Sequence, residues 1–148
     1  MESKKLRVLF VCTGNSCRSQ IAETFAREMG VEAYSAGTEP NRVHPLAVRV
    51  MNDLGFGIVH EMGRGLDEFI GQRFDFVITL CDRARETCPT WRDAKAQLYW
   101  PIEDPAATQG PIDRQLRAFR MARSEICARL TGFLAAPDAS RALPAEAC

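Results

Sequence analysis

The chain has 148 residues, 46% of them hydrophobic, and its 19 lysines and arginines are matched by 19 aspartates and glutamates. This length and composition are typical of one domain with a sizeable core. Because the charges balance, the chain has no net positive charge that would attract nucleic acid or an anionic membrane. Because no signal peptide and no membrane-spanning apolar run is visible, we expect a cytoplasmic protein without nucleic-acid or membrane partners.

Hydrophobic periodicity outlines alternating strands and helices along the chain. Pro45 and Pro111 mark the starts of two helices, and Gly55 marks the end of the first of these. In chain order, the pattern predicts strand 6–11, helix 21–29, strand 31–36, helix 45–54, short helix 66–70, strand 74–80, strand 96–100 and helix 112–133.

This alternation predicts an α/β fold of one domain, in which helices cover both faces of a mostly parallel sheet. In such folds ligands bind beyond the carboxyl ends of the strands. The domain is expected to occupy residues 1–135. Residues 136–148 are rich in alanine and proline and show no periodicity, so we expect a flexible tail there.

A loop with a cysteine and an arginine separated by five residues joins the first strand to the first helix. Its inward N–H groups and the helix dipole are expected to cradle a small oxyanion. Arg18 is suited to grip two oxygens of that anion, and the same positive field favours the thiolate of Cys12 as a nucleophile. The predicted oxyanion-binding residues are Thr13, Gly14, Asn15, Ser16, Cys17 and Arg18.

Two further side chains are expected to assist Cys12. Ser19 is placed to donate a hydrogen bond to the Cys12 sulfur and also to cap the following helix. Asp104, with Glu103 as a weaker candidate, follows the fourth predicted strand and is expected to protonate the oxygen that leaves when a thiolate attacks a tetrahedral oxyanion. Cys17 is expected to be a small buried residue.

Cys81 and Cys88 allow two interpretations. In the first, Cys81 packs at the end of a strand and Cys88 is an incidental residue of a polar, mobile segment. In the second, nearby arginines help to ionise the two thiols, and the mobile segment lets Cys88 approach Cys81 as a disulfide forms. A nucleophilic Cys12 at a neighbouring strand end favours the second interpretation, in which three thiols form a relay.

A metal site is not predicted. The cysteine spacing does not suit zinc, and Arg18 would repel a cation. The two histidines have simpler explanations, because His44 precedes Pro45 and suits a loop or a helix cap, whereas His60 lies in a polar loop.

Together these residues resemble the arsenate reductases built on the low-molecular-weight protein tyrosine phosphatase fold. The resemblance covers nearly the whole predicted domain. It rests on residues 8–23 (VLFVCTGNSCRSQIAE), 34–37 (YSAG) and 77–82 (VITLCD), on Cys88-Pro89 and on Asp104-Pro105. Ordinary phosphatases of this fold lack the Cys81 and Cys88 pair and usually carry aromatic residues after Asp-Pro, where this chain has Ala106 and Ala107.

The resemblance implies a three-layer sandwich with a four-stranded parallel sheet, and a thiol cascade acting on arsenate. Cys12 would attack arsenate, Cys81 would form a disulfide with Cys12 and release arsenite, and Cys88 would move that disulfide outward. A thioredoxin-like protein or similar thiol donor would then supply the electrons, with no tightly bound cofactor.

One departure concerns potassium, which some relatives bind beside the loop. The residues similar to their ligands are Asn15, Glu23 and Ser35, but the later segment reads HEMGRG at residues 60–65. Arg64 would oppose a cation there, so we do not expect potassium dependence.

Two alternatives remain open at this point. A phosphatase would use Cys12, Arg18 and Asp104 to hydrolyse phosphoesters through a phosphocysteine and would not need the cysteine pair. A sensor would capture arsenite with Cys12, Cys81 and Cys88 and would not need Arg18.

Overall fold

The computed structural model describes residues 5–58 and 60–135. Within them, four strands alternate with four helices, and two short 3₁₀ helices, Leu66–Phe69 and Pro105–Ala107, lie between. The elements are β1 (Arg7–Cys12), α1 (Arg18–Glu28), β2 (Glu32–Gly37), α2 (Pro45–Asn52), β3 (Phe76–Thr79), α3 (Asp82–Thr87), β4 (Ala96–Tyr99) and α4 (Ile112–Ala135). The tail predicted over residues 136–148 lies outside the described residues.

The four strands form one parallel sheet in the order β2-β1-β3-β4. Five of the six residues of β1 are buried, as expected for a strand covered on both faces. Cys12 pairs with Gly37 at the carboxyl edge, where β3 also ends. The predicted α/β fold with a four-stranded parallel sheet is thus confirmed.

Two hydrophobic cores sandwich the sheet, because successive residues of β1 point to opposite faces. Phe10 belongs to the larger core, together with Ile21 of α1 and Phe119 of α4. Leu9 belongs to the smaller core, which includes Trp91 and is contacted by partly buried Cys81 and Cys88. Helices α1 and α4 therefore cover one face, and α3 lies on the other with the 3₁₀ helix Leu66–Phe69.

The segment after Cys81, which we predicted to be polar and mobile, is the polar helix α3, and the sequence did not predict this helix. Its six residues are too few and too polar to show an apolar period, and Ala84 is its buried position. Tertiary contacts stabilise it instead: Arg83 lies 3.0 Å from Glu39, and Arg85 lies over the ring of Tyr99. Parallel strands need such a crossover connection.

Helix α2 is also shorter than its apolar pattern predicts. It ends at Asn52, and Leu54 is 47% exposed after it. The turn passes through Gly55 with a φ of 83°, which glycine adopts readily.

Among the helices of the described residues, none is long and apolar enough to cross a membrane.

Candidate active site

The loop between β1 and α1 turns its carbonyl groups outward. Four of its carbonyls accept hydrogen bonds from backbone N–H groups in residues 38–44. These pairs are Thr38 to Cys12 (3.2 Å), Glu39 to Thr13 (2.8 Å), Asn41 to Gly14 (2.8 Å) and His44 to Ser16 (2.8 Å). Outward carbonyls leave the loop's own N–H groups facing its centre, beside the N-terminus of α1, and this is the arrangement that binds anions.

Asn15 joins this loop to its surroundings. It is fully buried and has a φ of 50°, a conformation that asparagine tolerates better than most residues. Its Nδ2 donates to Ser19 Oγ at 2.7 Å, and its Oδ1 accepts from the backbone N–H of Arg64 at 2.8 Å. Its carbonyl accepts from Gln20 Nε2 at 2.7 Å. The side chain therefore fixes the conformation of the loop.

Two glycines allow neighbouring segments to pack against the loop, a role that was not predicted from the sequence. A Cβ atom at Gly37 would lie 2.6 Å from the carbonyl oxygen of Thr13. One at Gly63 would lie 2.7 Å from the carbonyl oxygens of both Gly14 and Asn41. Because those contacts are with backbone atoms, a larger residue would displace the loop.

Gly63→Ala is expected to lower the free energy of unfolding by about 1–3 kcal/mol, because the added methyl group meets backbone that has little room to move. Thermal or urea denaturation measures the change. Gly57→Ala is the matched control, since a Cβ atom there would meet nothing within 4 Å and the backbone φ suits alanine. Equal stability of the two variants would contradict the close packing at Gly63.

Ser19 lies against the candidate nucleophile. Both residues are buried, and Ser19 Oγ is 2.9 Å from Cys12 Sγ. Asn15 already donates to this oxygen, so the hydroxyl hydrogen is free to point at the sulfur. The predicted capping role of Ser19 is wrong, because α1 begins at Arg18 with Cys17 as its N-cap residue, and no side chain caps it.

Arg18 is 8% exposed and is held by the segment after β4. Its Nη1 donates to the carbonyl oxygen of Ile102 at 2.9 Å, and its Nη2 lies 3.9 Å from Asp104 Oδ2. Burial opposes the charge of Arg18, but attraction to nearby acidic groups, chiefly Cys12, outweighs it and raises the pKa. Nε is buried and finds no acceptor among residues 5–58 and 60–135.

Asp104 follows β4 in the chain and lies beside Arg18. Its Oδ1 accepts a hydrogen bond from the N–H of Ala106 at 3.0 Å, which caps the 3₁₀ helix Pro105–Ala107 and fixes the carboxylate. The side chain remains 45% exposed, so protons exchange with solvent. Of the two candidate acids, Asp104 is the one that pairs with Arg18 among the described ion pairs, whereas Glu103 is exposed.

The remaining cysteines differ in their surroundings. Cys81 is the N-cap residue of α3 but makes no capping hydrogen bond, and its sulfur lies 3.3 Å from the hydroxyl of Thr13, the neighbour of Cys12. Cys88 is half-buried at the other end of α3, where burial raises the pKa of its thiol to about 11. Cys17 is buried as expected, and burial, with the charge of Cys12, raises its pKa to about 12.

Comparison with known proteins agrees with this geometry. The family model described as low molecular weight phosphotyrosine protein phosphatase matches residues 7–143. The chain belongs to this family. Its relatives include an arsenate reductase of Halalkalibacterium halodurans, which is 38% identical over 129 residues that cover 85% of this chain and 93% of the relative.

Solved structures of this phosphatase family give the same picture. An arsenate reductase in the phosphate binding state superposes with a TM-score of 0.75 at 33% identity, covering 88% of this chain and 97% of that one. A thioredoxin-dependent arsenate reductase of Corynebacterium glutamicum superposes with a TM-score of 0.70 at 26% identity, covering 95% of this chain and 66% of that one. The resemblance seen in the sequence is therefore confirmed.

The two histidines of this phosphatase-family chain lie on different sides of the loop. His44 is the N-cap residue of α2, which agrees with the helix cap that was one of its two predicted roles. Its Nδ1 accepts a hydrogen bond from the N–H of Leu46 at 3.1 Å. Burial lowers its pKa against the attraction of Asp104. His60 instead contacts Glu23, and we did not predict this contact. No group of three His, Cys, Asp or Glu residues within the described part of the chain is arranged to hold a metal ion.

Proposed function

We propose that this protein reduces arsenate to arsenite in arsenic detoxification, using Cys12, Cys81 and Cys88 in succession. Its curated relatives at 37–38% identity are arsenate reductases. The observation that carries the thiol relay is the position of Cys81, whose sulfur contacts the side chain next to Cys12 while α3 leads from it to Cys88. A phosphatase that acts through Cys12 alone has no use for this pair.

The first step is displacement at arsenic. Arsenate binds to the inward N–H groups of residues 13–18 and to the guanidinium of Arg18. The Cys12 thiolate, stabilised by the Ser19 hydroxyl, forms a sulfur–arsenic bond as one arsenic–oxygen bond breaks. Asp104 gives its proton to the leaving oxygen, which departs as water, and regains a proton from solvent.

The second step reduces the metalloid. The Cys81 thiolate attacks the sulfur of Cys12 and forms a disulfide bond, while the electron pair of the sulfur–arsenic bond passes to arsenic. Arsenic(V) becomes arsenic(III), arsenite departs, and the two sulfurs are oxidised together. In the third step Cys88 attacks Cys81, so that the Cys12 thiolate is released and the disulfide lies between Cys81 and Cys88.

This third step requires α3 to open. The helix rises about 1.5 Å per residue, which separates the Cα atoms of Cys81 and Cys88 by about 10 Å, whereas a disulfide needs less than about 7 Å. The N–H of Arg85 bonds the carbonyl of Cys81 at 3.0 Å, and that of Cys88 bonds the carbonyl of Ala84 at 2.8 Å. Both hydrogen bonds must break before the two sulfurs meet.

The closed helix also predicts slow reaction of Cys88. Because burial raises its pKa to about 11, the reduced protein should alkylate at Cys88 slowly near neutral pH, and the rate should rise about tenfold per pH unit below that pKa. Mass spectrometry of the tryptic peptide 86–92 after reaction with iodoacetamide measures this rate. The peptide 74–83, which holds Cys81, provides the internal comparison. Rapid alkylation of Cys88 at pH 7 would contradict its burial.

The reductant in this proposal is a thioredoxin-like dithiol protein. Opening of α3 brings the Cys81–Cys88 disulfide to the surface, where another protein's thiolate can attack it, whereas Cys12 is buried. A thioredoxin-dependent arsenate reductase is among the structural relatives. We place the protein in the cytoplasm, where thiols are kept reduced.

The test is oxidation of NADPH that depends on arsenate in the presence of thioredoxin and thioredoxin reductase. We expect continuous oxidation and one arsenite per NADPH consumed. Hydrolysis of p-nitrophenyl phosphate by the same preparation, without arsenate turnover, would favour the phosphatase and overturn the proposal.

A further inference from the structure

Behind the catalytic loop lies a buried carboxylate that the thiol relay does not use. Glu23 is 3% exposed. Its Oε2 lies 2.8 Å from Arg27, 3.1 Å from His60 and 3.8 Å from Arg64, and its Oε1 accepts from the hydroxyl of Ser35. One carboxylate thus faces two arginines and a histidine inside the protein.

The three residues of this chain that match the potassium ligands of some relatives do not fit a potassium ion here. The Oδ1 of Asn15 already accepts from the backbone N–H of Arg64, and the Ser35 hydroxyl donates to Glu23. The remaining oxygen of Glu23, Oε2, faces Arg27 and Arg64. A potassium ion would have to lie beside these like charges.

Arg64 connects this cluster to the nucleophile. Its backbone N–H bonds Asn15, Asn15 donates to Ser19, and Ser19 lies 2.9 Å from Cys12. Its own carbonyl accepts from the N–H of Gly37 at 2.8 Å. The main chain of this residue is therefore fixed between the end of β2 and the loop.

The side chain of Arg64 points toward the carboxylate of Glu23. Its Nη2 lies 3.2 Å from His60 Nε2 and 3.8 Å from Glu23, and the guanidinium lies 5.0 Å from the ring centroid of Phe69. Glu23 attracts the positive side chain of Arg64. This attraction also helps to hold the backbone N–H of Arg64, which orients Asn15.

We propose that Arg64 is a built-in cation that positions Asn15, Ser19 and thereby Cys12, and that it makes the protein independent of potassium. This inference deepens the proposed function, since it assigns a positioning residue to the same site. Arg64 touches neither substrate nor Cys12 and acts through the hydrogen bonds of its own main chain.

The decisive experiment compares Arg64→Ala, Arg64→Lys and Arg27→Ala. Arg27→Ala is the matched control, because it also removes a positive partner of Glu23 but makes no contact with Asn15. The first readout is the rate at which iodoacetamide alkylates Cys12 at pH 7, which requires no arsenate. We expect Arg64→Ala to slow this reaction about tenfold, as loss of orientation would, whereas Arg64→Lys retains most of the rate and Arg27→Ala retains all of it.

The second readout is the response to potassium chloride against tetramethylammonium chloride at constant ionic strength. The unmodified protein should show none, and Arg64→Ala should alkylate and turn over faster in potassium, because an external cation can then neutralise Glu23. Potassium activation of the unmodified protein, or equal rates for Arg64→Ala and Arg27→Ala, would overturn the inference.

If Arg64→Ala fails to fold by circular dichroism, Arg64→Lys and the potassium titration of the unmodified protein decide instead. Potassium activation then overturns the inference, and retained Cys12 reactivity in Arg64→Lys without such activation supports it. Absence of arsenate turnover with the expected alkylation pattern would refute the reductase and leave the role of Arg64 intact.

Discussion

Cys88→Ser protein is expected to release one arsenite per molecule and then stop. Serine cannot attack the disulfide between Cys12 and Cys81, so the nucleophile stays oxidised after the first cycle. The steady rate of NADPH oxidation should fall at least about a hundredfold, while arsenite formation in the first turnover stays near that of the unmodified protein. Rapid-quench measurement of arsenite separates the two phases.

The trapped protein provides its own check on the order of the steps. Non-reducing peptide mapping after one turnover should find the tryptic peptides 8–18 and 74–83 joined by a disulfide. Thr90→Ala, an exposed substitution two residues further on, is the control and should turn over normally. Sustained arsenate reduction by Cys88→Ser with the thioredoxin system would refute the relay.

Arg18→Lys is expected to lower kcat/KM for arsenate by about a hundredfold to a thousandfold. The charge is kept, but lysine has a single compact cationic group on a flexible stem. It cannot bond the carbonyl of Ile102, lie beside Asp104 and offer the buried Nε–H to an anion at the same time. Steady-state kinetics measures the loss, which should include kcat because the charge on the oxyanion changes during the reaction.

The matched control is Arg92→Lys, the same change at an exposed arginine. It should leave both kinetic constants unchanged. If Arg18→Ala or Arg18→Lys retained full arsenic-dependent function, catalysis would be contradicted, and a sensor that captures arsenite through its three thiols would be favoured, because soft thiolates bind that ion without an arginine.

The sheet and the loop between Cys12 and Arg18 were predictable because both are encoded locally. The buried run before Cys12 fixes a strand, and the spacing to Arg18 fixes a loop of defined length at its carboxyl end. The position of Asp104 followed from the same reasoning, since parallel strands end at one edge. These inferences require only neighbouring residues and the geometry of a strand.

The groups that hold the site in place were not predictable in the same way. The carbonyl of Ile102 restrains Arg18, but any residue carries a carbonyl, so no side chain marks it. Gly63 matters because of what a Cβ atom would meet from two other segments. Ser19 looked like a helix cap because the predicted start of α1 was two residues too late, which is within the usual precision of such boundaries.

Helix α3 shows a different limit. Its six residues have no apolar face, and its stability comes from partners distant in sequence, such as Glu39 and Tyr99. A segment of this kind looks mobile when it is considered alone. The polar sequence nevertheless suits the opening that the proposed relay requires, because little buried apolar surface is lost when the helix opens.

In the proposed relay, the placement of Cys88 at the far end of α3 would also protect the resting protein from oxidants. While the helix is closed, Cys88 is a half-buried thiol too far from Cys81 to pair with it, so peroxide or oxidised glutathione that reacts with Cys81 meets no resolving thiolate in place. In that relay Cys81 is oxidised by its attack on the Cys12–arsenic adduct, and Cys88 reacts only after the helix opens. Oxidants other than arsenate would then not form the Cys81–Cys88 disulfide, and reductant would not be consumed in reducing it.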